Sequence, residues 1–152
     1  MACSFMAKQI NTPKEWQLLA ERDLAVADYL AANMRPVPNE IIAFHCQQAV
    51  EKYLKGALVV LGEEPPHVHD LDRLCSMTLK HRPSFASLQS LCTTVNYFSV
   101  QPRYDFALSL SKDDMRLVLA HTKTVKDFLR KEIPELFEEN DTLQVSRIET
   151  TP

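Results

Sequence analysis

The chain of 152 residues is 45% hydrophobic, carries a formal net charge of −3 at pH 7 and contains two glycines. This length suits one domain with a sizeable core. The slightly acidic charge argues against a bulk nucleic-acid binder, although a local basic patch is compatible with it. The glycines, Gly56 and Gly62, are too few to build a glycine-rich phosphate loop, which excludes Rossmann and P-loop folds.

The cellular compartment is indicated by the cysteines and the first ten residues. The cysteines are widely spaced, which favours reduced thiols over the alternatives of a disulfide or a metal site. They are Cys3, Cys46, Cys75 and Cys92. Residues 1–10 lack the apolar region of a signal peptide, and no apolar run reaches membrane-spanning length. We therefore expect a cytoplasmic protein with no membrane partner and no cofactor.

The first predicted helix runs from about Pro13 to Met34. Thr12 suits the N-cap, Pro13 the first helical position, and Glu15 the reciprocal position of a capping box. Residues 35–38, which include two prolines, end the helix. Its apolar stripe comprises Trp16, Leu19, Ala20, Leu24, Ala27, Leu30 and Ala31.

The second predicted helix has two different faces. It starts after Pro38-Asn39 and ends near Leu61, where Gly62 can supply the left-handed conformation that closes a helix. One side is an apolar core stripe: Ile42, Cys46, Ala49, Val50, Tyr53, Ala57 and Leu61. Roughly opposite is a polar stripe at spacings of three, four and three: His45, Gln48, Lys52 and Lys55. The apolar residues Ile41, Phe44 and Val59 lie among these polar groups, and this mixture indicates a contact surface.

Three further helices are predicted. The third begins at His69 or Asp70, with Asp70 the better cap, and ends at Arg82-Pro83. Its inward positions are Leu71, Leu74, Cys75 and Thr78. Ser84 is predicted to cap a fourth helix with the stripe Phe85, Leu88, Leu91, Cys92, Val95 and Phe98.

Ser99–Leu110 is predicted to be a loop. Ser111 is then expected to cap the last long helix, which ends before Pro134. The core-facing residues of this helix are Met115, Val118, Thr122, Val125 and Leu129. Residues 135–140 could add a loose acidic helix.

The fold class follows from these elements. Four or five amphipathic helices with short loops predict an all-α, antiparallel up-and-down helical bundle. We expect residues 1–11 to be a short N-terminal extension, 12–133 the bundle, and 134–152 an acidic, mostly flexible tail.

Four segments in order resemble the HEPN domain family over roughly Thr12–Lys131. The second helix reads Phe44-His45-x-Gln47-Gln48-Ala49-x-Glu51-Lys52-x-Leu54-Lys55-x-x-Leu58, as the family's second helix commonly does. The family's first helix is matched by Trp16, Ala20, Asp23, Leu24, Ala27 and Leu30. Its second-to-third connection is matched by Gly62, His69-Asp70-Leu71 and Leu74, and its Arg-Tyr before the last helix by Arg103-Tyr104.

The resemblance implies a helical bundle that binds a nucleotide or RNA. It also implies a homodimer and an association with a minimal nucleotidyltransferase, in some members as a toxin–antitoxin pair. The family includes metal-independent ribonucleases as well.

The main candidate site is the polar stripe of the second helix. Two ammonium groups beside an imidazole and a carboxamide suit a phosphate ester, because lysine supplies point charge and the others supply directional hydrogen bonds. The positions belong to the family's motif. The alternative is local pairing of Glu51 with Lys55, and solvated neighbours at Gln48 and Lys52.

Two further segments are candidates for ligand contact. His69-Asp70 could orient a general base or bind an anion, whereas the alternative is that Asp70 only caps a helix. Arg103 could grip a phosphate and Tyr104 stack on a base, whereas the alternative is a surface pair of Arg103 with Asp105. His67 and His69 lack a third ligand at a typical metal spacing, so no metal is expected.

Arg116 and His121 match the spacing of the ribonuclease motif, an Arg followed after four to six residues by a His. Lys123 stands where the toxin branch has a Tyr. Positions five apart on a helix diverge by about 140°, so we predict that the two side chains do not share a face.

Three functional hypotheses remain from the sequence. The first is a nucleotide- or RNA-phosphate-binding module. The second is a metal-independent endoribonuclease using His45 or His69 for proton transfer, with Lys52 and Arg103 stabilising the transition-state charge. The third is a dimeric interaction module without a ligand. Because Arg116 and His121 are poorly placed for catalysis, binding is favoured over an enzyme.

Overall fold

The computed structural model describes residues 9–10, 12–104 and 109–139, with only the backbone described for 101–104. The regular secondary structure of this part of the chain is all helical, with no strand, which confirms the all-α prediction. The helices are α1 (Pro13–Asn33), α2 (Asn39–Val60), α3 (Leu71–His81), α4 (Gln89–Tyr104) and α5 (Lys112–Glu132). Short 3₁₀ helices cover Pro83–Leu88 and Pro134–Leu136.

Side-chain caps determine where the helices start. Thr12 and Glu15 form the predicted capping box at α1. Asp70 caps α3 by accepting a hydrogen bond from the backbone N–H of Asp72, and Ser111 caps α5 through Asp114. Each cap satisfies a backbone donor that has no partner within its helix. The cap predictions for α1, α3 and α5 are therefore confirmed.

Helix α2 is the centre of the bundle and packs on the other four α-helices. Its whole apolar side is buried except for Leu61, which is half-buried at its end. The predicted inward residues of α3 and α5 are also buried. A helix with neighbours on several sides buries more than one stripe, and Leu54 and Leu58 on α2 are likewise fully buried.

The segment after α3 differs from the prediction. Helical structure begins directly at Pro83, so Ser84 is not a cap; its hydroxyl contacts Glu132 Oε2 at 3.0 Å instead. Proline at a first helical position explains this start, because its missing N–H would have no helical acceptor there.

The predicted loop at Ser99–Leu110 is also wrong in its first part, because α4 continues to Tyr104. Ser99 is buried and its hydroxyl donates to the carbonyl of Val95 at 2.7 Å, so it is satisfied within the helix rather than ending it. Residues 105–108 lie outside the described residues.

The C-terminal end of the described chain packs on α2. Residues 134–136 form a single 3₁₀ turn where a loose helix was predicted over 135–140, and Leu136 is fully buried. A β-carbon placed on Gly56 would lie 2.7 Å from Leu136 Cδ1 and 3.0 Å from Trp16 Cβ, so a larger residue would force these side chains to shift. A flexible tail was predicted for residues 134–152, of which 140–152 lie outside the described structure. Residues 1–8 and 11 of the predicted N-terminal extension also lie outside it.

The described cysteines are thiols. Cys46, Cys75 and Cys92 are buried and form no disulfide, and Cys3 lies outside the described residues. Burial raises the pKa of the Cys46 thiol to about 12. A search of the described helices finds none with the length and apolarity to cross a bilayer.

Candidate functional site

The first part of the site is centred on Asp23 of α1, which faces α2. One carboxylate oxygen of Asp23 accepts a hydrogen bond from His45 Nδ1 at 2.9 Å, and the other contacts Lys52 Nζ. The side chains of Asp23, Lys52 and His45 are 13%, 23% and 24% exposed. We call these three residues the Asp23 cluster. They are positioned by the packing of α1 on α2 and remain partly open to solvent.

The second part is centred on Glu51, on the side of α2 that faces the connection to α3. Lys55 Nζ contacts Glu51 Oε1 at 2.9 Å, and His69 Nδ1 lies 3.0 Å from the same oxygen. The side chains of Glu51 and Lys55 are only 5% and 7% exposed, whereas His69 is 81% exposed. We call these three residues the Glu51 cluster.

Two glutamines complete the Glu51 cluster. Gln47 Nε2 donates to the backbone carbonyl of His69 at 2.9 Å and contacts Glu51 Oε2 at 3.3 Å. Gln48 Nε2 donates to Gln47 Oε1 at 2.8 Å. The bond from Gln47 to the His69 carbonyl holds the start of α3 against α2, and the carboxylate of Glu51 accepts from groups on both sides of this contact.

Both imidazoles are bound in the same way. A carboxylate only accepts hydrogen bonds, so His45 and His69 must each donate from Nδ1, and neither Nε2 has a hydrogen-bond partner within the described part of the chain. A neutral imidazole held like this offers an acceptor at Nε2, and a protonated one offers a donor. The arrangement therefore suits either proton transfer or hydrogen bonding to a phosphate oxygen.

The charges of the two clusters balance when both imidazoles are neutral. The ammonium groups of Lys52 and Lys55 are offset by the carboxylates of Asp23 and Glu51. The predicted polar stripe is thus not a strongly basic surface, and any affinity for an anion depends on directional hydrogen bonds or on imidazole protonation.

The structure divides the predicted stripe rather than exposing it as one groove. His45 and Lys52 belong to the Asp23 cluster, half-buried Gln48 bonds to Gln47 beside Glu51, and Lys55 is buried at Glu51. The pairing of Glu51 with Lys55, weighed above as the alternative, is present. His69 is oriented by Glu51, while Asp70 serves as the cap.

The other predicted site residues lie apart from these clusters. Arg116 is exposed on α5 and lies 3.8 Å from Asp113, and half-buried His121 follows in the same unbroken helix. Since α5 starts before Arg116, the two positions diverge by about 140°. The backbone of Arg103 and Tyr104 ends α4, and their side chains lie outside the described residues.

The apolar residues of the mixed face have separate surroundings. Ile41 is 49% exposed, whereas Phe44 is half-buried with its ring edge-on to His45, at 5.4 Å between ring centres. Val59 is half-buried and lines a cavity with Trp16 and Lys55.

Asp23, Gln47 and Glu51 were not predicted from the sequence as site residues. A signal for the first was available: Asp23 is three residues after Ala20 and four before Ala27, both fully buried, so it falls within the apolar stripe of α1. A carboxylate at such a position needs a partner.

Among the described residues, no group of three or more His, Cys, Asp or Glu side chains is arranged to hold a metal.

Comparison with known proteins gives one match. A family model described as HEPN domain matches residues 13–133, which is most of the chain. No curated protein and no solved structure matches.

Proposed function

This chain belongs to the HEPN domain family, and from that premise we propose that it is a module that binds the phosphate groups of a nucleotide or of RNA. The observation that carries the proposal is the Asp23 cluster. Its ammonium and imidazole are held side by side on α2 and are both partly open to solvent.

The chemistry of the Asp23 cluster suits a phosphate. Lys52 has three donors, and Asp23 engages one face of the ammonium, so further donors remain for phosphate oxygens. His45 adds a directional contact from Nε2, and Asp23 holds both groups so that little side-chain entropy is lost on binding. Exposed His69 adds a second imidazole from the α2–α3 connection.

Lys52→Ala is the direct test. We expect weaker binding of fluorescently labelled single-stranded RNA and a salt dependence of log K reduced by about 0.7 to 1, because one phosphate contact is lost. The fold should survive, with a change in unfolding free energy of about 0.5–1 kcal/mol.

The matched control is Lys123→Ala. Lys123 also pairs with an α1 carboxylate, Asp28, at 2.7 Å, but it belongs to α5. RNA binding should weaken in Lys52→Ala and stay unchanged in Lys123→Ala. An equal loss of RNA affinity in the two variants would show that Lys52 acts only as one of several surface charges, which would contradict the proposal.

The contribution of Arg103 and Tyr104 remains a proposal by family resemblance. We expect Arg103→Ala to weaken RNA binding without unfolding the bundle. Unchanged affinity in both Arg103→Ala and Lys52→Ala would refute the site as a whole.

A second candidate function is that of a metal-independent endoribonuclease. It is favoured by the carboxylate–imidazole pairs Asp23–His45 and Glu51–His69, each of which leaves Nε2 free for proton transfer. RNA cleavage in the presence of EDTA, lost in His45→Ala or His69→Ala but retained in His121→Ala, would establish it. Cleavage lost only in His121→Ala would instead place the chemistry on α5.

Partners are proposed on the same basis. We propose a homodimer, supported by the exposed apolar side chains of Ile41, Tyr29 and Met34, and a nucleotidyltransferase partner as the family resemblance implies. Light scattering at high protein concentration should return a dimer mass. A monomer mass, or an unchanged dimer in Ile41→Glu, would contradict the proposed interface. The remaining alternative, an interaction module without a ligand, predicts a dimer and no RNA binding.

A further inference from the structure

A cavity of about 620 Å³ lies at the C-terminal end of α2, where the start of α1 and the α2–α3 connection meet. Trp16, Val59, Pro65 and Pro66 supply flat or apolar walls, and Lys55 supplies the buried charge. The volume is within the range of small-molecule sites, about 300–1,000 Å³. The cavity is separate from the Asp23 cluster, since it contains none of its residues.

Among the described residues, the ammonium of Lys55 is incompletely satisfied. Its side chain is 7% exposed, and it has three donors, of which one reaches Glu51 Oε1. It also lies 5.6 Å from the centre of the Trp16 ring, which attracts the positive charge but accepts no conventional hydrogen bond. A buried ammonium with unused donors favours an acceptor supplied by a ligand.

Trp16 contributes a flat wall to the cavity rather than a donor. Its Nε1–H has no hydrogen-bond acceptor among the described residues, but the atom is buried and closed to a ligand in the cavity. The Lys55 ammonium, which is donor-only, therefore sets the polar requirement of the cavity. An oxygen that only accepts hydrogen bonds, such as a carboxylate oxygen, is the complementary group.

The acidic residues at the cavity limit the charge of the ligand. Glu63 pairs with His81 at 2.5 Å, while Glu64 is exposed. With Lys55 already shared with Glu51, these carboxylates disfavour a doubly charged phosphate. We infer that the cavity binds a small, flat molecule with a single carboxylate, whose oxygens accept from Lys55 while its ring packs beside Trp16.

The chain offers a built-in reporter for this site, because Trp16 is its one tryptophan. Titration with 2-naphthoate or benzoate should change the tryptophan emission in a saturable manner. The amides of the same ring systems should bind about tenfold more weakly or worse, since the charged hydrogen bond is lost, and phenyl phosphate should also bind more weakly. Equal affinity of acid and amide would overturn the role of Lys55.

Two variants locate the binding. Lys55→Met should weaken benzoate about tenfold or more. Because this variant leaves Glu51 buried without its lysine and could unfold, Val59→Phe provides an independent test by narrowing the cavity, with exposed Leu117→Phe as its control. We expect loss of binding in Val59→Phe and none in Leu117→Phe. Unchanged binding in Val59→Phe would exclude the cavity.

Competition separates this inference from the proposed function. RNA should not displace the aromatic carboxylate, and Lys52→Ala should leave carboxylate binding unchanged. Displacement by RNA would show that the cavity belongs to the phosphate site and would overturn a separate site.

Discussion

The Asp23 cluster and the Glu51 cluster have the same composition, a carboxylate with a lysine and an imidazole, but they differ in burial. In the Asp23 cluster all three side chains are partly exposed. In the Glu51 cluster the carboxylate and lysine are buried, and only the imidazole of His69 is open to solvent. The same residue types on α2 therefore form a partly exposed cluster at Asp23 and a mostly buried network at Glu51.

The two clusters share their residue types, so their difference in burial should decide how each responds to substitution. A buried ion pair has lost its hydration and depends on its partners, whereas a partly hydrated pair can exchange a partner for a ligand at small cost. Substitutions in the Glu51 cluster should therefore mainly change stability, and those in the Asp23 cluster mainly change binding.

The largest expected effect is that of Glu51→Gln. It leaves the Lys55 ammonium buried without a counterion and should lower the free energy of unfolding by about 3–5 kcal/mol. Urea denaturation followed by circular dichroism measures this loss. The double variant Glu51→Gln/Lys55→Met should recover part of it, because the unpaired charge is removed. A loss below about 1 kcal/mol, the range of exposed pairs, would erase the distinction between the clusters.

Asp23→Asn should give the opposite balance of effects. Its partners keep contact with water, so we expect a stability loss of about 1 kcal/mol. Since the substitution removes one negative charge beside Lys52 and His45, RNA affinity should rise several-fold at low salt. Polarisation titrations at two salt concentrations test this. Weaker RNA binding would show that Asp23 positions the cations more than it neutralises them.

Glu21 on α1 pairs with Lys126 on α5, at 2.7 Å between Oε2 and Nζ. This ion pair has no imidazole and serves as a reference for the two clusters. Burial alone would raise the pKa of Glu21, but the hydrogen bond from Lys126 and further hydrogen bonds bring it below its ordinary value. A lowered folded-state pKa stabilises the fold above the unfolded-state pKa, and this contribution disappears as pH falls through the folded-state value.

The free energy of unfolding of Glu21→Gln, measured across a pH series, tests the direction of this pKa shift. The variant should be less stable than the wild type near neutral pH, and the difference should shrink below about pH 4. A difference that grows with acidity would contradict the assigned direction of the pKa shift.

The smallest expected effect is that of His69→Ala. The imidazole is 81% exposed, and Glu51 retains Lys55 and Gln47, so stability should change by about 0.5 kcal/mol or less. Thermal unfolding measures it. A loss as large as that of Glu51→Gln would show that His69, and not Lys55, is the essential partner of the carboxylate.

The sequence predicted the elements that depend on local chemistry. Thr12 with Glu15, Asp70 and Ser111 mark helix starts through hydrogen bonds that span two or three residues, which makes them readable from order alone. The continuation of α4 past Ser99 was missed because a serine commonly occurs at helix ends, whereas this one is buried and its hydroxyl bonds to the Val95 carbonyl one turn earlier in the same helix.

The site was predictable only in part. Helical periodicity identified the stripe from His45 to Lys55, but the carboxylate of Asp23 comes from another helix, 22 residues from His45. The burial of Lys55 depends on Trp16 and on the connection after α2, which cover that end of the stripe. Periodicity assigns a residue to a side of its helix, whereas its counterion and its exposure depend on which elements pack there.

The glycine at position 56 has a consequence for the order of folding. It allows Trp16, near the start of α1, and Leu136, after the end of α5, to pack against the same turn of α2. Contacts between such distant parts of a chain incur a large loop-closure entropy and tend to form late. A bulkier residue at position 56 should then accelerate unfolding and leave the folding rate nearly unchanged, because the junction of the two chain ends forms after the transition state.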